Sequence, residues 1–138
     1  MWIIGNGGSA STAEHFATDL SCIRFKKIGS FPKVEAITAN SALIAAILND
    51  LSYVGLFEVI LKRKAQSGDL LISISASGNS PNVINAIMYA KRNKLRTFSL
   101  LGFYGGKAKT ICDKAVVVKS NLGDMESLNM CIYQYVTR

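Results

Sequence analysis

Short apolar runs alternate along the chain with longer stretches in which apolar residues recur every three to four positions. The short runs are typical of buried strands, and the longer periodic stretches are typical of helices that bury one face. Because strands that alternate with helices make right-handed crossovers, we expect a parallel sheet covered by helices on both faces. The predicted strands are residues 2–4, 34–37, 70–74, 96–101 and 115–118.

Six helices are predicted between and after these strands. Asn40 and Ser80 precede two of them and are suitable N-caps, and Pro81 takes the first helical position after Ser80. Either Ser9 or Ser11 is expected to cap the first helix. The predicted helices are residues 10–20, 41–48, 54–65, 81–92, 105–112 and 125–136.

The strand at residues 70–74 runs into a loop rich in hydroxyl, glycine and amide groups, and this loop opens the next helix. The first turn of a helix has unpaired N–H groups, and the helix dipole adds positive potential there. Such a loop suits an anion, most often a phosphate. The hydroxyls of Ser75, Ser77 and Ser80 add further donors. A serine-rich turn with an ordinary N-cap is the structural alternative.

A second loop, Gly5–Ser9, follows the first strand and also opens a helix. In a parallel sheet both loops lie at the carboxyl ends of the strands, where ligands bind. The spacing of Gly5, Gly7 and Ala10 fits the dinucleotide-binding fingerprint loosely. That fingerprint requires an acidic residue after the second strand, where this chain has Thr38-Ala39-Asn40. We therefore expect no nucleotide cofactor.

Composition and charge narrow the classes of function. The chain has 138 residues, of which 49% are hydrophobic, so one globular domain is expected. No apolar run has membrane-spanning length, and the first residues lack the basic region of a signal peptide. The three cysteines are unclustered, which is typical of the cytoplasm. The net charge of +7 comes from scattered basic residues without a nucleic-acid-binding motif, so it indicates a mild preference for anions.

Several short motifs are spread over nearly all of the chain. They read Gly5-Asn6-Gly7-Gly8-Ser9, Glu14-His15-Phe16-Ala17, Asn49-Asp50, Gly68-Asp69-Leu70-Leu71, Ser75-Ala76-Ser77-Gly78-Asn79-Ser80 and Gly105-Gly106-Lys107. Together they resemble the SIS (sugar isomerase) domain family, and within it the bacterial phosphoheptose isomerases. The resemblance implies a single SIS domain over residues 1–138, with a three-layer, flavodoxin-like α/β fold and a five-stranded parallel sheet. It also implies a homo-oligomer, usually a tetramer, although the helical segment usual before the first strand is absent here.

The resemblance further implies a phosphorylated sugar as substrate and an aldose–ketose isomerisation. Phosphoheptose isomerases convert sedoheptulose 7-phosphate into D-glycero-D-manno-heptose 7-phosphate for lipopolysaccharide or capsule sugars. By this resemblance Ser75, Ser77 and Ser80 hold the sugar phosphate, and Asn6 and Ser9 lie near the sugar chain. The further substrate-binding residues that it implies are Gly7, Asn49, Asp50, Asn79, Glu126 and Gln134.

The first helix carries the catalytic residues that the resemblance implies. His15 and Asp19 share one helical face because they are four residues apart. The isomerisation needs a general base and an acid, for which Asp19 and His15 are the candidates. Alternatively, His15, Asp19 and Glu126 would hold a zinc ion, which accepts nitrogen and carboxylate oxygen.

The catalytic positions are also where the chain departs from the family pattern. Asp19 replaces a glutamate, and Glu126 and Gln134 stand where the last helix of the family has a glutamine and a histidine. A register one residue earlier would place Met125 and Tyr133 there. Because Gln134 cannot transfer a proton, the alternative function is a non-catalytic phosphosugar-binding or regulatory protein, similar to the DnaA initiator-associating protein.

Overall fold

We describe the protein from a computed structural model that defines residues 1–22 and 33–119. Strands and helices alternate along these residues, as the apolar pattern predicts. The strands are β1 (Trp2–Gly5), β2 (Glu35–Ala36), β3 (Leu70–Ser75), β4 (Arg96–Gly102) and β5 (Lys114–Val118). The helices are α1 (Gly8–Cys22), α2 (Ser41–Asp50), α3 (Leu56–Lys64), α4 (Pro81–Arg92) and α5 (Gly106–Ile111), with a 3-10 helix at Ile37–Ala39.

The five strands form one sheet in the order β2-β1-β3-β4-β5, and every pairing in it is parallel. Ile3 of β1 lies opposite Ile72 of β3, and Ser73 of β3 lies opposite Ser99 of β4. This strand order is that of flavodoxin-like folds. The predicted α/β fold with a five-stranded parallel sheet is therefore confirmed.

Helices cover both faces of the sheet and divide the core in two. On one face Phe16 of α1 and Ile74 of β3 are buried in the same apolar cluster. On the other face, Phe57 and Leu61 of α3 and Ile87 of α4 are completely buried. Burial of each such side chain contributes about 1.5–3 kcal/mol to folding. The apolar face predicted for α4 is confirmed, because Val83, Ile84, Ile87 and Ala90 are all buried.

A pair of hydroxyl groups lies inside this otherwise apolar core. The Oγ atoms of Ser73 and Ser99 are 2.7 Å apart, and both side chains are completely buried. One hydroxyl donates to the other, so each of these buried polar groups has a partner.

The predicted start of the first helix is wrong. α1 begins at Gly8 rather than Ala10, so Ser9 and Ser11 lie inside it and neither is its N-cap. The helix starts early because the N–H of Ser9 already donates to the carbonyl of Asn6 at 3.0 Å.

Other boundaries shift by one or two residues. α2 continues to Asp50 rather than ending at Leu48, and β2 is shorter than predicted because Ile37 begins a 3-10 helix. Asn40 caps α2 through its side chain, as predicted, by accepting a hydrogen bond from a backbone N–H of the first turn. Ser80 occupies the N-cap position of α4, but its side chain makes no capping hydrogen bond.

Two predictions concern residues outside the described ranges. The last helix, residues 125–136, is one, and the roles of Glu126 and Gln134 on that helix are the other. Within residues 1–22 and 33–119, no helix combines the length and the apolar character needed to cross a membrane.

Candidate functional site

The candidate site lies where the parallel strands end. The loop after β1 (Asn6–Gly7, here the first loop) and the loop after β3 (Ala76–Ser80, here the serine loop) open the helices α1 and α4. Asn82, in the first turn of α4, is completely buried. Its Nδ2 lies 2.8 Å from Oδ1 of Asn6, and the Nδ2 of Asn6 lies 3.0 Å from Oδ1 of Asn82. This reciprocal amide pair joins the first loop to the helix that the serine loop opens.

Two hydroxyls hold the serine loop in place, one from the last residue of β3 and one from the loop itself. The Oγ of Ser75 accepts a hydrogen bond from the N–H of Gly78, and the Oγ of Ser77 accepts one from the N–H of Asn79, each at 3.1 Å. A hydroxyl that accepts a hydrogen bond keeps its own proton to donate. These two hydrogen bonds therefore fix the positions of the oxygen atoms and leave both hydroxyl protons available to donate.

The serine loop is also held tightly against the start of α5. Gly78 has φ +63°, and a Cβ atom built on it would lie 2.0 Å from the carbonyl oxygen of Gly105. The carbonyl of Gly78 accepts a hydrogen bond from the N–H of Ala108, and Oδ1 of Asn79 accepts one from the N–H of Lys107, each at 2.9 Å. Only glycine fits at position 78, both sterically and in its backbone conformation.

A mostly apolar hollow of about 450 Å³ lies beside the first loop. Asn6 and Gly7 line one side of it, and Ile44 of α2 and Tyr53 lie among its other lining residues. Thr38 also lines it, and the buried Oγ1 atom of Thr38 has no hydrogen-bond partner among the described residues. A ligand held by the first loop would therefore have a mostly apolar space beside it.

Residues 1–102 match the sequence model of the SIS domain. The chain belongs to the SIS domain family. Its similarity to named relatives extends beyond the matched residues. It is 40% identical over 133 residues to phosphoheptose isomerase of Chlorobium phaeobacteroides, covering 95% of this chain and 58% of that protein. It is 42% identical over 119 residues to phosphoheptose isomerase of Aliarcobacter butzleri, covering 86% of this chain and 62% of the relative. This SIS domain thus spans about three fifths of the length of these curated relatives.

Solved structures agree with the family. The SIS domain superposes on phosphoheptose isomerase of Neisseria gonorrhoeae with a TM-score of 0.86 at 28% identity, covering 99% of this chain and 73% of that one. A phosphoheptose isomerase from Francisella tularensis gives a TM-score of 0.87 at 24% identity, covering 99% of this chain and 72% of that one, and this likeness shows the fold alone.

The catalytic pair predicted on α1 lies away from both loops of the SIS domain. His15 is exposed and Asp19 is half-buried. At 1.5 Å per residue, they lie about 10 Å and about 16 Å along the helix axis from its first residue. Among the described residues, no hydrogen bond joins His15 to the first loop or to the serine loop. Along α1, then, His15 lies about two helical turns and Asp19 about three helical turns from the start of the helix.

The described residues do not complete a metal site. In residues 1–22 and 33–119, no group of three His, Cys, Asp or Glu side chains lies close enough together to hold a metal ion. Of the three predicted zinc ligands, His15 and Asp19 are described, and Glu126 lies outside these ranges. The fit of zinc to this SIS domain therefore depends on a residue that the structure does not describe.

The remaining predicted site residues fall into two places. Ser9 is buried in the first turn of α1, next to the first loop. Asn49 and Asp50 are exposed at the end of α2, where Nδ2 of Asn49 donates to Oδ1 of Asp50 at 2.7 Å. No described hydrogen bond joins Asn49 or Asp50 to either loop, so of these three residues only Ser9 adjoins the candidate site directly.

Sequence reasoning missed two residues of this site. Asn82 follows the proline that begins α4, and a polar residue there is ordinary for the first turn of a helix. The sequence carries no signal that separates this buried asparagine from an exposed residue of a first turn. Thr38 stands where the dinucleotide fingerprint requires an acidic residue, and no feature of the sequence indicates that its hydroxyl is buried without a partner among the described residues.

The carboxyl groups with clearly shifted pKa values lie outside this site among the described residues. At the opposite end of the strands, burial raises the pKa of Asp69, but hydrogen bonds from the Gln66 backbone and the Trp2 indole outweigh it and leave the pKa below its ordinary value. Hydrogen bonds from Lys91 and Thr97 lower the pKa of Asp113. These groups stabilise the fold and take no part in the candidate site.

Proposed function

We propose that this SIS domain belongs to a sugar-phosphate isomerase of the phosphoheptose type, which converts sedoheptulose 7-phosphate into D-glycero-D-manno-heptose 7-phosphate. The observation that carries the proposal is the reciprocal pairing of Asn6 and Asn82. It joins the first loop to the helix that follows the serine loop, at the carboxyl ends of the strands. The 40% identity to a phosphoheptose isomerase over nearly the whole chain supports the same substrate class.

In this proposal the serine loop binds the phosphate. The oxygen atoms of Ser75 and Ser77 are held by backbone N–H groups, and their hydroxyl protons remain available to donate to an anion. Ser80 stands at the N-terminus of α4, a helix of 12 residues without an acidic residue in its first turn. The helix dipole therefore favours a negative charge at this position. Asn6, Gly7, Ser9 and Asn79 surround the sugar chain.

The proposed chemistry moves one proton between two neighbouring carbons through an enediol. Asp19 is the candidate general base, and His15 is the candidate acid. Because His15 and Asp19 lie about two and about three helical turns along α1 from its first residue, we propose that the site is completed by another copy of the chain in a homo-oligomer. Exposed apolar side chains at the end of α2 and just after it support such contact: Leu48, Leu51, Tyr53 and Val54 are 44%, 61%, 46% and 47% exposed.

Asn49, Asp50, Glu126 and Gln134 are further proposed substrate contacts. Zinc is the proposed metal. When bound, zinc would polarise the sugar carbonyl as a Lewis acid. His15 and Asp19 supply one nitrogen and one carboxylate from the same helix, which suits zinc. Metal analysis of the purified protein, with His15→Ala as comparison, tests this proposal, and an equal zinc content in both would contradict it.

The central experiment incubates the protein with sedoheptulose 7-phosphate, with and without added zinc, and measures aldose formation. Unphosphorylated sedoheptulose is the substrate control and should react far more slowly. The double variant Ser75→Ala/Ser77→Ala should lose most of the affinity for the phosphorylated sugar, because hydrogen bonds to a charged group are worth about 1.5–3 kcal/mol each. Ser67→Ala is the matched control, because Ser67 is exposed in the turn that precedes the first residue of β3, and this variant should bind normally.

The outcome separates the proposed enzyme from its alternative. Turnover that is lost in Asp19→Asn supports the isomerase. Tight binding of the phosphorylated sugar without turnover in either condition would contradict it and favour a phosphosugar-binding or regulatory protein. Equal affinity for the phosphorylated and unphosphorylated sugars would contradict both functions, because neither loop would then recognise the phosphate.

A further inference from the structure

The orientation of the buried Asn82 amide is set by the backbone beside it. Its Oδ1 accepts a hydrogen bond from the N–H of Val83 at 2.9 Å and another from Nδ2 of Asn6 at 3.0 Å. A backbone N–H can only donate, so a flipped amide would place the NH2 group of Asn82 against another donor. The backbone of α4 therefore determines which end of the Asn82 amide meets each atom of Asn6.

That orientation is passed on to Asn6 in the first loop. Only one of the two orientations of the Asn6 amide forms both hydrogen bonds with Asn82. An amide side chain has two N–H donors and two acceptor lone pairs. The pairing uses one donor and one lone pair of Asn6, so the second donor and the second lone pair point in fixed directions from a half-buried side chain.

We propose that Asn82 is a positioning residue for the isomerase reaction, because it holds the amide of Asn6 in the single orientation that meets the sugar chain. This inference rests on the proposed function, in which Asn6 contacts the sugar. Asn82 itself is completely buried, so it acts through Asn6 and makes no contact with substrate.

Loss of Asn82 should affect kcat and KM to different extents. The proposed phosphate contacts of Ser75 and Ser77 depend on hydrogen bonds within the serine loop, and neither involves Asn82. Loss of Asn82 should therefore leave most of the affinity for the phosphate in place while the sugar is held in a wrong orientation. We expect kcat to fall more than KM rises.

Asn82→Asp is the sharpest variant, because it keeps the size and the acceptor but cannot donate to Oδ1 of Asn6. We expect kcat/KM for sedoheptulose 7-phosphate to fall about 10- to 100-fold, since a misplacement of about 1 Å costs about 100-fold. Asn93→Asp is the matched control: the same substitution at the exposed end of α4, where kcat/KM should not change. In an Asn6→Ala background, Asn82→Asp should cause no further fall. A full further fall there would overturn the proposal, because Asn82 would then act independently of Asn6.

A second measurement separates this inference from folding and from the proposed function. Urea unfolding shows whether each variant folds, and Asn82→Ser, which buries no charge, replaces Asn82→Asp if that variant does not. In NMR spectra of protein with ¹⁵N-labelled asparagine, the side-chain NH2 of Asn6 should shift and exchange faster in the Asn82 variants and not in Asn93→Asp. If the wild type shows no turnover and Asn6 still responds in this way, the proposed function is wrong and the orientation of Asn6 by Asn82 is right. An unchanged Asn6 signal in a folded Asn82 variant would overturn the inference whatever the activity.

Discussion

Replacement of Gly78 by alanine tests how tightly the serine loop is held. A Cβ atom at this position would lie 2.0 Å from the carbonyl oxygen of Gly105, so loop and helix must separate by about 1 Å to reach even the closest contact that real Cβ atoms make. The left-handed backbone conformation costs a non-glycine residue about 1–2 kcal/mol. The separation also strains two hydrogen bonds of Gly78, to Ser75 and to Ala108, each worth about 0.5–1.5 kcal/mol.

We therefore expect Gly78→Ala to lower the free energy of unfolding by about 2–5 kcal/mol. Gly7→Ala is the matched control, because Gly7 has a similar φ of +54° but no atom within 4 Å of its Cβ position. It should cost only the backbone term of about 1–2 kcal/mol. Urea unfolding followed by the fluorescence of Trp2, the one tryptophan of the chain, measures both variants. If Gly78→Ala is no less stable than Gly7→Ala, the close approach of the loop to α5 is not a real constraint.

Three further predictions concern the fold. Ser73→Ala should cost about 1–3 kcal/mol by leaving the buried hydroxyl of Ser99 without a partner, while the double alanine variant should be closer to the wild type; additive losses in urea unfolding would contradict this. Hydrogen bonds from Lys91 and Thr97 lower the pKa of Asp113 below its ordinary value, so its carboxylate stabilises the fold above the ordinary aspartate pKa of about 4, and this contribution is lost as the pH falls through the lowered pKa. The stability difference between wild type and Asp113→Asn should therefore shrink in acid, and a constant difference would refute it. Asn40→Ala should cost about 1 kcal/mol through loss of the α2 cap, and Asn40→Ser, which keeps a capping oxygen, should restore most of it in thermal unfolding.

The sequence predicted the sheet and the loops better than it predicted the contacts between them. The helical spacing of apolar residues alone predicts the buried face of α4, because large apolar side chains such as Ile84 and Ile87 are stable only when they are removed from water. The start of α1 was missed because serine is favoured as an N-cap. The hydrogen bond from the N–H of Ser9 to the carbonyl of Asn6 places Ser9 inside the helix instead. The pairing of Asn6 with Asn82 joins residues far apart in the chain, and local propensity carries no information on such a contact.

The inner position of β1, between β2 and β3, has a consequence for how the chain folds as the ribosome makes it. Trp2 of β1 pairs with Glu35 on one side and with Leu71 on the other, so both partners of β1 are synthesised after it. Parallel pairings between such distant segments form slowly, because the intervening chain must first be closed into a loop. We expect a nascent chain to carry β1 with at least one edge open until β3 has emerged, and to be most prone to aggregation and most dependent on chaperones during that interval.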